Sequence, residues 1–276
     1  MSQLLNSKKF CLSFLSFFVF LISSTSFVKA FSADESCKSG IKILSDFDDT
    51  IKTYPSKKMA VMGYNALFKN HINAGFDILY REMTGQKAGS FCEEEFRLTV
   101  ISASPSFLYP MVQSLLKHHQ FPKHKIFLRP LGKESRLFKR EVFERILEDE
   151  EGPFVLIGDD VNEDPAIYHE LKNKFPEKVK EIYIHNVENK NFFSGQRSYW
   201  TAFDLGLMEH ERGRISTKTL LRIGKEVLKS SPWKVLPPYG NCPPSGFLKK
   251  PFIQNEDILK LAKKIDLRIQ EICKVR

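Results

Sequence analysis

Between Ile43 and Lys52 the chain reads ILSDFDDTIK, an apolar run followed by three acids, Asp46, Asp48 and Asp49, within four residues. Two later stretches end in a similar way. TVISAS brings Ser102 and Ser104 after apolar residues, and VLIGDDVNED brings Asp159, Asp160 and Asp164. Carboxylates gathered in one place repel one another and take up protons unless a cation keeps them ionised. Mg2+ does this with oxygen ligands, commonly one or two carboxylates completed by substrate phosphate and water. The set therefore predicts a magnesium-bridged phosphate site. Alternation along the chain directs Asp46 and Asp48 to the same side, so one can attack phosphorus while the other exchanges a proton with the leaving oxygen.

Other uses of these acids are weaker. Asp160, Asn162 and Asp164 match the first half of a calcium loop, but Pro165 stands where that loop needs glycine and Leu171 where it needs an acid. Asp164 before Pro165 also fits a helix N-cap, whereas capping would use one acid of DFDDT and not three.

Such residues need a scaffold that brings strand ends to one rim. The periodicity supplies it: IKILSDF, RLTVIS, KIFLRP, FVLIGD and EIYIHNV read as strands. Between them lie AGFDILYREMTG, SFLYPMVQSLLKHHQ (with Pro110 inside it), ESRLFKREVFERILED and DPAIYHELKNKF, which read as helices. Strands alternating with helices predict an α/β fold with a mainly parallel sheet, and in such sheets ligands bind beyond the carboxyl ends of the strands. From about Asn189 onward the reading is of helices, STKTLLRIGKEVLKS and NEDILKLAKKIDLRIQEICK, joined by a Pro- and Gly-rich linker and packed on the sheet domain. The expected division is a leader over 1–30, an α/β core carrying the acids over 31–188 and a C-terminal helical extension over 189–276.

The motifs resemble the haloacid dehalogenase superfamily. DFDDTIK is similar to its DxDxT signature, Ser102 in VISAS to the second motif, Lys139 in LFKREVFERIL to the third, and GDDVNEDP to the fourth. SASPSFLYP, LRPLGK and IGDDVNEDPAIY narrow the resemblance to the catalytic domain of the actin-patch-associated phosphatidate phosphatases, over most of Lys42 to Val187. Ser106 stands where that family commonly has tryptophan, and Asp160 where it usually has serine. The resemblance implies a Rossmann-like fold with a small cap or none, and an aspartyl-phosphate mechanism. In it, Asp46 is the nucleophile, Asp48 the general acid and base, and Lys139 the neutralising cation, with Lys133 the competing choice for that lysine. Ser102, Ser104 and Thr50 are assigned to substrate. Mg2+ is assigned to Asp46, the main-chain carbonyl of Asp48 and Asp159, with Asp164 as a ligand or as the group that orients one. The implied substrate is a phosphomonoester, with phosphatidate or a related phospholipid at a membrane surface favoured over a soluble ester. Only about fifty residues separate the first two motifs, which leaves room for a small flap over 52–70 and predicts an open site.

Composition agrees with a globular enzyme. The 276 residues are 42% hydrophobic and carry a net charge of +9, spread along the chain and without the patterns that mark a nucleic-acid binder. Lys8 and Lys9 precede a thirteen-residue apolar run, Phe10 to Ile22, and Val28 and Ala30 follow as small residues. This reads as an export leader cut near Ala30; the run is short of the roughly 20 residues of a membrane span. Beyond the leader, Cys37, Cys92, Cys242 and Cys273 permit two disulfides in any of three pairings.

Overall fold

The computed structural model describes residues 41–55, 71–85, 96–190, 192–249 and 251–276. Six strands form one parallel sheet: β1 (Lys42–Ser45), β2 (Leu98–Pro105), β3 (His124–Arg129), β4 (Phe154–Asp159), β5 (Val179–His185) and β6 (Gln196–Tyr199). Their order across the sheet is β3-β2-β1-β4-β5-β6. The central strands are apolar on both faces because helices cover both. Ile43 pairs with Leu98 on one side and Val155 on the other, so β1 is enclosed along its whole length.

Side-chain alternation divides the core into two layers. Ile43, Val100 and Ile157 face one layer, and Leu44, Ile101 and Leu156 face the other. The first layer is built from α1 (Phe76–Met83), α2 (Tyr109–His118), α5 (Ala202–Glu211), α6 (Thr217–Lys229) and, outside α6, α8 (Glu256–Lys274). The second is built from α3 (Ser135–Asp149) and α4 (Asp164–Lys174). Pro110 is accommodated because it lies in the first turn of α2, where its missing N–H has no intrahelical partner to lose. A short helix, α7 (Pro232–Val235), and the proline-rich linker cross from α6 to α8.

The sheet extends beyond residue 188, where the sequence reading turned to helices. Gln196–Tyr199 adds a parallel edge strand to β5, and only Tyr199 of its four residues is buried. Being short, polar and at the edge, it lacks the apolar pattern by which a strand is recognised.

Cys242 and Cys273 form a disulfide that ties the linker to the last turn of α8. Cys37, Cys92, the leader and residues 56–70 of the expected flap lie outside the described residues. The two ends of that flap segment are held side by side, since Thr53 N donates to His71 O and Asn73 N to Ile51 O, both at 2.9 Å.

Candidate active site

In this strand order the winding reverses between β1 and β4, and a crevice opens where neighbouring connections leave in opposite directions. Asp46 follows the last residue of β1, and its N–H donates to Ile157 O of β4 at 2.9 Å. Asp159 is the last residue of β4 and Asp164 the first of α4. One oxygen from each of these three buried acids lies within 4.8 Å of the others. The sequence motifs thus converge at the switch point.

Lys139 enters this cluster from α3. Its Nζ donates to Asp46 Oδ1 at 2.6 Å and to Asp164 Oδ1 at 2.7 Å, with all three side chains buried. Burial works against the ammonium charge, but Asp164, Asp46 and Asp159 outweigh it and hold the lysine above its usual range. Burial, reinforced by Asp164 and Asp48, pushes the Asp46 carboxyl up in spite of Lys139. Burial and then Asp46 and Asp164 push Asp159 up as well. Three carboxylates against one ammonium leave two negative charges uncompensated in a buried place. A divalent cation with a preference for hard oxygen donors fits that donor set and that charge.

Asp48 faces the cluster from the turn after β1. It accepts hydroxyl hydrogen bonds from Ser102 at 3.0 Å and Ser104 at 2.7 Å on one oxygen, and from Tyr54 at 2.6 Å on the other. Ser102 and Ser104 are two apart on one strand and so point the same way. Thr50 is fully buried, and its hydroxyl donates to Asp159 Oδ2 at 3.3 Å, orienting that carboxylate. Asp164 does not cap its helix: Glu163 is the N-cap, and the Asp164 carboxylate turns inward to Lys139 and to the Asp159 N–H. Gly158 makes room for it, since a Cβ there would lie 2.5 Å from Asp164 Oδ2. Lys133 is on the surface, paired with Glu141. Asp160 accepts from the N–H groups of Val187, Glu188 and Lys190, which shapes the loop after β5 and leaves no calcium loop.

Several residues of the site escape sequence reasoning. Tyr239, from the distant linker, donates to Asp49, whose carboxyl is pushed up to about 6 by burial, against that hydrogen bond. Asp49 adopts a left-handed backbone, φ 58°, a conformation that Asp tolerates better than most residues. Lys52 is buried with its Nζ 4.8 Å from the ring centre of Tyr54. Burial pushes its pKa down while Asp48 and Asp49 oppose this. Lys52 and Tyr54 could have been suspected from their nearness to DFDD; nothing local marks Tyr239.

No curated protein and no solved structure matches the chain. A family model does, described as phosphatidate phosphatase APP1, catalytic domain, and it covers residues 41–186, from the start of β1 to just past β5. That span contains the acid cluster, both serines and Lys139, on the six-stranded parallel sheet expected of a haloacid dehalogenase-like phosphatase. More than half of the chain is matched, and the protein belongs to the family of the phosphatidate phosphatase APP1 catalytic domain.

Proposed function

We propose that this phosphatase is Mg2+-dependent and hydrolyses the phosphomonoester of phosphatidate or a related phospholipid through a phosphate ester of Asp46. The observation that carries this is the buried trio Asp46, Asp159 and Asp164, joined to Lys139 and faced by Asp48. Asp46, the Asp48 carbonyl and Asp159 would hold the metal, with Asp164 completing or orienting the set. When bound, the ion neutralises the excess negative charge and that of the phosphoryl oxygens.

The protein groups then do the following. An Asp46 oxygen forms a bond to phosphorus as the ester P–O bond breaks, and Asp48 gives its proton to the departing alcohol oxygen. Water next attacks phosphorus and loses a proton to Asp48; the bond to Asp46 breaks, and phosphate leaves. Lys139 balances charge on Asp46 throughout. Ser102 donates to the phosphoryl oxygens, Ser104 and Tyr54 keep Asp48 in place, and Thr50 keeps Asp159 in place. Export is also part of the proposal, supported by the leader-like N-terminus and by the Cys242–Cys273 disulfide, a bond that persists in oxidising compartments.

The test is phosphate release from phosphatidate in mixed micelles, compared with a soluble phosphomonoester, with Mg2+ or with EDTA. Turnover of phosphatidate that EDTA abolishes is expected. Asp46→Asn and Asp48→Asn should each lower turnover by about 10³-fold or more while the fold, read by circular dichroism, is preserved. Equal rates in EDTA, or an active Asp46→Asn, would end this reading.

A further inference from the structure

Among the described residues, apart from the chain end, the most exposed apolar side chains are Leu131 at 73% and Phe107 at 67%. They sit on the same rim as the acid cluster. In the sheet Pro105 pairs with Arg129, and each of the two apolar residues comes two positions after its member of that pair. They therefore leave adjacent strand ends, which are about 5 Å apart. Phe107 is three residues beyond Ser104, whose hydroxyl holds Asp48. Tyr109 and Leu137, at 41% and 40% exposed, follow in the first turns of α2 and α3 and add to the same edge.

The charge close to them is mixed, while the chain as a whole carries +9, which favours an anionic surface. Arg129, the last residue of β3, donates to the main-chain carbonyls of Ala103 and Lys133 and has the Glu134 carboxylate as an electrostatic neighbour. Lys133 and Arg136 stand in the same segment, each with an acidic partner. Apolar side chains that protrude singly, Phe107 from a short 3-10 turn of helix and Leu131 from the loop after β3, on a chain of positive net charge, match an anionic bilayer interface better than a flat protein face. No described helix is long and apolar enough to cross a membrane.

We propose that Phe107 and Leu131 are membrane-inserting tips that seat the rim of the active site on an anionic phospholipid bilayer. This rests on the phospholipid reading above and adds the surface by which the enzyme reaches its substrate. Seated so, the entrance beside Ser102, Ser104 and Asp48 faces the plane of the lipid phosphates.

The full chain and its Phe107→Ser, Leu131→Ser and doubly substituted forms test this. Binding is read in EDTA, where no turnover intrudes, by sedimentation with phosphatidylcholine vesicles carrying phosphatidylserine. Turnover is read on a short-chain phosphatidate kept below its micellar concentration and on vesicles containing long-chain phosphatidate. Each single substitution should weaken vesicle binding about tenfold and the double one more, with turnover of the short-chain lipid unchanged. Equal binding by wild type and double variant overturns the proposal, as does an equal loss of turnover on the dispersed lipid. So does light scattering that shows a wild-type dimer dissolved by Phe107→Ser, since the tips would then be covered by a second copy. If wild type binds vesicles through these residues yet hydrolyses only soluble esters, the docking surface stands and the phospholipid reading fails.

Discussion

Among the described residues, Lys139 is the one ammonium bonded to the cluster of three buried carboxylates, which makes its removal informative in two ways. Lys139→Met keeps the length of the stem but leaves the acids repelling one another. Loss of a buried partner of this kind costs about 3–5 kcal/mol, and added Mg2+ is expected to return part of the lost melting temperature while turnover stays low. Lys133→Met, at the surface, should leave both unchanged. Calorimetry with and without the ion, beside a turnover assay, checks this. Gly158→Ala tests the same cluster by bulk instead of charge. Its new Cβ would lie 2.5 Å from Asp164 Oδ2 and 2.8 Å from Tyr168, so a loss of about 1–3 kcal/mol and a marked fall in turnover are expected. A fully active Gly158→Ala would show that Asp164 can move without harm.

Among the elements, α3 shows what the sequence could and could not reveal. Its buried positions are Phe138, Lys139, Val142, Phe143, Ile146 and Leu147, so Lys139 lies on the apolar stripe, three and four residues before Val142 and Phe143. Arg136 and Arg140 do not. In the sequence the surrounding charge masks that spacing, and only the resemblance set Lys139 before Lys133. The strand ends and their acids were legible directly, because a strand buried on both faces announces itself and a polar residue just after it stands out. β6 was not legible, since an edge strand of four residues needs no apolar pattern. The two C-terminal helices were read as cover for the sheet domain, but not the way α8 packs on α6 through a glycine. A Cβ on Gly224 would come within 2.5 Å of Leu261 Cδ2 and 2.9 Å of Phe203. Gly224→Ala should therefore lower stability by about 1–3 kcal/mol by forcing the helices apart, with little change in kcat because neither helix carries a reacting group. Denaturant unfolding beside a turnover assay separates the two effects.

At the scale of the whole molecule, the C-terminal part reaches back to the site. Tyr239 donates to Asp49, Asn241 N donates to Val187 O at 2.7 Å, and Cys242 is bonded to Cys273 on α8. Removing that crosslink with Cys242→Ser should cost about 2–4 kcal/mol. It should also loosen the linker and lower turnover more than Gly224→Ala does. Unfolding curves and kcat/KM measured on both variants make the comparison, and equal kcat/KM in the two would mean that the linker has no hold on the site. The central place of β1 has a consequence for synthesis. Among the described residues, 42–45 are the earliest strand of the sheet to leave the ribosome, yet one flank stays bare until Phe154–Asp159 emerges, and the acid trio is incomplete before Asp164. At ordinary rates of translation that interval lasts about ten seconds. A nascent chain halted within it would be inert and would offer an open strand edge to any neighbour.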